Sequence, residues 1–549
     1  MSAVSSSPAA APELVTITID GKELKVPKGT NLIEAAKMGG IEIPHYCYHP
    51  DLSVAGNCRM CQVMVNEQTK LTIACNTPAA EGMKVNTHHT RKEVQDAQAA
   101  TLEFILINHP LDCTVCDQAG HCKLQDYHFQ YNARPSRMLE QKVHKVKAEP
   151  LGPNVVLDGE RCIMCTRCIR FCDEVTQTSE LGMLNRGDAS VIAASPGRPL
   201  ANPLSGTVVD LCPVGALTHR EWRFNTRIWF TRQTDSICPG CSTGCNVRVA
   251  ERDGKIVQVK ARYNKSVNKE WLCDEGRYGF DRFLPEKRIT SPMNGKTGRS
   301  ASEADAINGI AKIFRTSLIF VAPDLMLEEY VLLKKILTKV APTASAVVAY
   351  RPRTLTKEQA ILVSPDYAAN LKGAVWTELV GEDPQRRYEE AIEKVRKAEV
   401  PGVIFIGDRS VEEKDFTPEF FLGLTKIGGT AGLLCDAESP LVGNLDWVLP
   451  ARSVLEKSGL LVNQKMRVQY AQKVVDAPDG VPPTFSLLDR VGQQLKVSFF
   501  SDLPTVTSER DLTRAVLRDD PRFAGATIAQ VRDGGVVVGG AETGGAARV

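Results

Sequence analysis

Apolar and polar residues alternate along LVTITIDGKELKVP, residues 14–27, on both sides of Asp20-Gly21. Such alternation around a turn that tolerates positive φ predicts an antiparallel hairpin. Thr30 or Asn31 is placed to cap a short helix through NLIEAAKM, which Gly39-Gly40 ends. Strand, strand and helix together open a small mixed sheet. From Arg91 to Asn108 the apolar residues Val94, Leu102, Ile105 and Leu106 predict one helix, stopping at His109-Pro110. Residues 150–220 read as loops, and a second hairpin is centred on Arg252-Asp253-Gly254-Lys255.

The second half has a different rhythm. SLIFVAP, SAVVAYR, GVIFIGD and WVLPA are short apolar runs of the kind that make buried strands, separated by helical stretches at 326–340 and 386–398. Their alternation predicts a parallel α/β sheet. A Gly- and Ala-rich tail from Asp533 is expected to be mobile, and residues 1–13 are expected to be flexible.

Composition narrows the functional classes. The 549 residues are 24% charged and 43% apolar, as in globular proteins with real cores. A net charge of +2 without a Lys/Arg stripe argues against a nucleic-acid partner. MSAVSSSPAAAPE has neither the basic-then-apolar order of a secretory signal nor the arginines of a transit peptide, so a cytoplasmic location is expected. No stretch reaches the roughly 18 apolar residues of a membrane span, so membrane association is expected only through partners.

Cysteine placement changes the picture most. Of 17 cysteines, all but Cys435 lie at or before Cys273. In a reducing compartment such crowding reads as metal ligation rather than disulfides. Cys47, Cys58, Cys61 and Cys75 form one set with C-x10-C-x2-C-x13-C spacing, suited to a 2Fe-2S cluster or to zinc. Cys113, Cys116 and Cys122 form a second, needing a fourth ligand that His109 or His121 could supply. Imidazole in place of thiolate removes a negative charge and raises the potential of an iron-sulfur cluster. Cys162, Cys165 and Cys168 followed by Cys212-Pro213 match the bacterial ferredoxin pattern for a 4Fe-4S cube. Cys172 extends that run but has no partner triplet, and reads as a buried thiol. Cys238, Cys241, Cys245 and Cys273 form the fourth set, for a 4Fe-4S cluster or a zinc ribbon. Zinc has no redox chemistry, whereas a row of iron-sulfur clusters suits the movement of single electrons.

The segments PHYCYHPDLSVAGNCRMCQV, HPLDCTVCDQAGHCKLQD, RCIMCTRCIRFCDE, LCPVGALT and WLCDEGR, spread over about residues 14 to 290, carry a family resemblance. In order and spacing the chain resembles the large iron-sulfur subunit of bacterial respiratory complex I, the NADH:quinone oxidoreductase. The resemblance implies a multidomain α+β chain. Its parts would be a β-grasp 2Fe-2S ferredoxin domain at 14–92, a His/Cys 4Fe-4S module at 93–132, a ferredoxin-like 4Fe-4S module at 150–221 and a molybdopterin-oxidoreductase-type 4Fe-4S module at 231–287. A truncated α/β molybdopterin-oxidoreductase-like domain would fill 288–532, ahead of the tail at 533–549. It also implies one 2Fe-2S and three 4Fe-4S clusters, with His109 favoured over His121 as ligand.

EKSGLLVNQKMRVQ, residues 456–469, resembles the E-x-x-G…N…R-x-Q segment of that last region, but Gln464-Lys465-Met466 departs from its usual version. Glu275 stands where pterin enzymes often carry lysine, and no cysteine lies between Cys273 and Cys435. No functional molybdopterin is therefore expected, and the fourth cluster is expected to be structural and off the main electron path. Implied partners are a flavin subunit that oxidises NADH and downstream iron-sulfur and quinone-site subunits, on the cytoplasmic side of the inner membrane. The chain itself would carry electrons without binding NADH or quinone, and no G-x-G-x-x-G opens a helix after a strand. The competing reading is an electron-input subunit of an NAD-linked hydrogenase or formate dehydrogenase.

Overall fold

The computed structural model describes residues 13–340, 344–497, 499, 508–523 and 525–538. The chain divides into two compact units at Trp229/Phe230, each described on its own below.

In the first unit the expected hairpin is present, Leu14–Ile19 pairing antiparallel with Lys22–Pro27. Asp20 and Gly21 turn it with φ of 48° and 81°. Val15, Ile17, Ile19 and Val26 point inward and are buried, so the alternation is the signature of a sheet with one covered face. Asn31, not Thr30, caps the helix Leu32–Met38 by accepting from Glu34 N. The sheet has five strands in the order Lys22–Pro27, Leu14–Ile19, Lys84–Asn86, Gln62–Val65 and Thr72–Ile73. The long helix runs Lys92–Leu106 and packs on a second, Lys123–Tyr131. Beyond it, Leu217–His219, Val155–Leu157 and Glu149–Pro150 make a small antiparallel sheet, and Arg167–Arg170 is a single helical turn continued by a π-helical turn, Phe171–Val175.

The second unit opens with three antiparallel strands, Arg232–Ile237, Asn246–Arg252 and Lys255–Ala261, the last two forming the expected hairpin. A seven-stranded sheet follows, in which Ser345–Val348, Ser317–Val321, Gly402–Ile406, Thr430–Leu434 and Trp447–Pro450 run parallel as consecutive neighbours. Both faces are covered. Ile319, Val321, Ile404 and Ile406 pack with the helices Glu303–Phe314 and Leu327–Val340, while Leu318, Phe320, Val403 and Phe405 pack with Pro384–Arg396 and Pro418–Lys426. Double coverage is why these strands are unbroken apolar runs. The expected mobile tail does not begin at Asp533, because Val536 and Val537 pair antiparallel with Val468 and Arg467. Residues 1–12 and 539–549, where the remaining flexible segments were expected, lie outside the described residues. Among the described residues no helix is long and apolar enough to cross a membrane.

Glu328, on the helix Leu327–Val340, is buried and accepts from Leu460 N at 2.9 Å and Thr513 Oγ1 at 2.5 Å. Burial outweighs those bonds and raises its carboxyl to about 7, from an ordinary value of 4.5. The folded chain therefore keeps a proton that the unfolded chain gives up. This contribution to stability is complete below the unfolded value and is lost as pH rises toward 7, by about 1.4 kcal/mol per unit. Glu328→Gln is expected to flatten that slope in thermal melts of the second unit between pH 4.5 and 7. An unchanged slope would show that another group carries it.

Candidate metal centres

The first thiol set hangs on the five-stranded sheet. Cys47 and Cys58 lie on the loop after the capped helix, Cys61 just before the strand Gln62–Val65, and Cys75 in the turn after Thr72–Ile73. Cys47 N donates to the Cys58 sulfur at 3.5 Å. A hydrogen bond from the Cys58 thiol brings Cys47 down to about 5, and the same bond, with burial, pushes Cys58 up. Cys61 and Cys75 form a second such pair, and the charge of Cys47 also reaches both. All four sulfurs therefore share one neighbourhood.

The third set is built on a loop whose Met164 and Thr166 adopt left-handed backbone, with φ of 54° and 60°. That folds Cys162, Cys165 and Cys168 inward, and Cys212 arrives at the end of the helix Thr207–Leu211. Burial raises the Cys168 thiol, with repulsion from Cys165, Cys162 and Cys212 adding to it, and Cys212 is pushed up to about 12 for the same reasons. Cys172 is a buried thiol whose proton is held by burial and by the charges of Glu180 and Asp173.

Two approaches fix where this set lies. Arg170 donates through Nη2 to both Cys47 O (2.5 Å) and Cys165 O (3.3 Å), and Arg167 bridges Tyr48 O and Leu211 O. On the other side, a Cβ placed on Gly215 would collide with the sulfur of Cys116, in the second set. The third set therefore adjoins both the first and the second.

In the second set, burial raises Cys116 and brings Cys122 to about 11, with Cys113 repelling both. Cys113 is exposed. His109 is held down at about 4 by burial and by the nearby cations Lys142 and Arg161, so its ring is neutral at pH 7. Its Nδ1 is buried without a hydrogen-bond partner. Arg161 is a charged neighbour of His109 and Cys116 alike. His121 has Nε2 at 3.1 Å from Gln118 Oε1. An unpartnered, neutral imidazole nitrogen is the chemistry a fourth ligand requires.

The fourth set lies in the second unit. Cys238 ends one strand of the antiparallel sheet, Cys245 precedes the next, and Cys238 N donates to Cys245 O at 2.8 Å. Cys273 caps the helix Asp274–Tyr278, its sulfur accepting from Gly276 N at 3.2 Å. Burial and mutual repulsion push Cys238 up to about 12 and raise Cys245 and Cys273 as well. The segment 456–469 grips this site. Asn463 Nδ2 reaches Thr243 O at 3.3 Å, and Gln469 Nε2 reaches Gly244 O at 2.9 Å, both on the loop between Cys241 and Cys245. Glu275 is engaged by Arg282 at 2.7 Å. Cys435 is buried elsewhere, its thiol donating to Asp408 Oδ2 at 2.6 Å.

These sets fit iron-sulfur clusters. Buried thiols that repel one another as thiolates resist ionisation until a metal core supplies positive charge, and a coordinating thiol is deprotonated outright. Glycine keeps the space around the sulfurs clear: a Cβ on Gly276 would lie 3.1 Å from the Cys273 sulfur and 3.2 Å from that of Cys238. Sequence reasoning missed the roles of Arg167, Arg170 and Gly215. Their signal was the pair of basic residues three apart around Cys168, and a glycine three residues after Cys212.

Comparison with known families matches four stretches in order. Residues 13–90 match a 2Fe-2S iron-sulfur cluster binding domain, and 98–137 the NADH-ubiquinone oxidoreductase-G iron-sulfur binding region. Residues 152–218 match the NADH-quinone oxidoreductase subunit 3 ferredoxin-like domain, and 231–284 the molybdopterin oxidoreductase Fe4S4 domain. The NADH-quinone oxidoreductase G-type subunit of Rickettsia conorii is 32% identical over 380 residues, 68% of this chain and 56% of that protein. Over these stretches the chain is similar to the G-type iron-sulfur subunits of NADH-quinone oxidoreductase. The G-type subunit of Streptomyces coelicolor is 41% identical over 281 residues, 51% of this chain and 33% of that protein. The mitochondrial NADH dehydrogenase (ubiquinone) iron-sulfur protein 1 of Solanum tuberosum is 39% identical over 304 residues, 55% of this chain and 41% of that protein. The chain thus spans about half, or less, of the length of these relatives. Among solved structures, an NAD+-reducing NiFe hydrogenase covers 39% of this chain and 91% of its own at 27% identity, with a TM-score of 0.35 that carries no fold argument.

Proposed function

We propose that this chain is the iron-sulfur electron carrier of an NADH:quinone oxidoreductase. Cys47, Cys58, Cys61 and Cys75 hold a 2Fe-2S cluster. His109, Cys113, Cys116 and Cys122 hold a 4Fe-4S cluster, as do Cys162, Cys165, Cys168 and Cys212, and as do Cys238, Cys241, Cys245 and Cys273. A bound cluster supplies reversible one-electron chemistry at a potential set by its ligands and surroundings. The protein's part is to bury most of the ligands, to place the third set beside both the first and the second, and to leave the second with an exposed ligand, Cys113. The approach of the third set to both the first and the second is the observation that carries the reading, because a structural metal has no need of close neighbours.

The partners in this reading are a flavin subunit that oxidises NADH on one side and further iron-sulfur and quinone-site subunits on the other. The assembly lies on the cytoplasmic side of the inner membrane. The fourth site works without a pterin: Glu275, Arg282 and the grip of Asn463 and Gln469 serve to brace it.

Metal analysis and low-temperature EPR of anaerobically purified, dithionite-reduced protein test this. About fourteen irons per chain, with one 2Fe-2S and several 4Fe-4S signals, are expected. His109→Ala is expected to remove or alter one 4Fe-4S signal and leave the 2Fe-2S signal in place. Stoichiometric zinc with little iron, in protein never exposed to oxygen, would overturn the assignment.

A further inference from the structure

We propose that Arg167 and Arg170 form a cationic bridge between the first and third thiol sets that favours an added electron on both sides. The two arginines bound a single helical turn, Arg167–Arg170, whose Cys168 belongs to the third set. Both reach out of that turn to the backbone of the first set. Arg170 donates to Cys47 O, to Ser53 O and back to Cys165 O, and Arg167 joins Tyr48 O to Leu211 O, next to Cys212.

The acceptors decide the chemistry. Carbonyls and the Thr166 hydroxyl are all neutral, and among the described residues neither guanidinium is ion-paired with a carboxylate. The nearest acid along the helix, Glu174, turns its carboxylate to Ser53 N at 2.8 Å and to the Ser53 hydroxyl. Arg167 is almost fully buried, with 8% of its surface exposed. A guanidinium stays protonated throughout the working pH range, so two positive charges persist here without a direct ion pair, Glu174 acting on Arg170 only through space. A cluster in four thiolates is anionic and becomes more so on reduction, and net charge is among the levers on its potential. Charges placed between two such groups attract the added electron on either and weaken the repulsion between both when reduced.

This rests on the cluster assignment above, and wild-type iron content and spectra would expose a wrong assignment separately. The test is an EPR-monitored redox titration of the iron-loaded full chain. In Arg170→Gln the reduction equilibria of the first and third clusters are both expected to fall about tenfold, or 59 mV for one electron, with iron content unchanged. Arg170→Lys keeps the charge without the fork and is expected to stay closer to wild type at both clusters. Unchanged midpoints in an iron-replete Arg170→Gln chain, or a shift at one cluster only, would overturn the proposal. If the glutamine variant fails to load iron, the lysine variant decides. Wild-type midpoints support the bridge, whereas lowered midpoints or the same loss of iron leave these residues a purely structural clasp.

Discussion

Replacing Cys168 with alanine is expected to remove about four of roughly fourteen irons and to abolish NADH-to-quinone electron flow in the assembled complex. Cys168 is the thiol whose neighbourhood includes all three other members of its set. Its site also adjoins two others, tied to the first by Arg167 and Arg170 and pressed against the second at Gly215. The signals of the first and fourth sites should survive in the variant, since their ligands come from separate loops. Iron analysis and EPR read the loss at the site, and turnover reads its consequence. Electron flow persisting in a complex whose third site is empty would take that site off the electron path and refute the proposed relay.

Gly215→Ala is expected to disable the second site without touching any ligand. The added methyl would occupy the space of the Cys116 sulfur and lie 3.1 Å from the Gln118 Cβ. Overpacking of this kind typically costs about 1–3 kcal/mol where neighbours can shift. Here the neighbour is a sulfur that a cluster must hold at a fixed bond length, so the cluster is expected to yield first. The observable is loss of about four irons together with the 4Fe-4S signal that His109→Ala also changes. Full iron content in Gly215→Ala would mean that the second and third sites do not approach through this glycine.

Local chemistry was legible along the chain and long-range placement was not. The hairpin at Asp20-Gly21, the helix Lys92–Leu106 and four of the five parallel strands follow from patterns within a few residues. The strand Thr430–Leu434 went unread because Gly432 breaks its apolar run. That glycine is required by packing, since a Cβ there would meet Leu445 at 2.7 Å. The short strand Val536–Val537 was hidden among glycines and pairs with residues some 70 positions earlier. The ligand sets could be grouped by spacing, but nothing in spacing says that the third adjoins both of the first two. That placement depends on contacts such as Arg170 to Cys47, separated by 123 residues.

The grip of the segment 456–469 on the fourth site also has a bearing on when that site can be finished. Asn463 and Gln469 meet the Cys241–Cys245 loop across 220 and 225 residues of chain. At synthesis rates of 5–20 residues per second, the loop waits roughly 11–45 s for its braces after leaving the ribosome. The first three sites have no such wait, being complete once the chain has passed Cys212 and Gly215. Maturation of the fourth centre is thus tied to synthesis of the 456–469 segment, and a nascent chain stalled before Gln469 would emerge with three finished centres and one open loop of thiols.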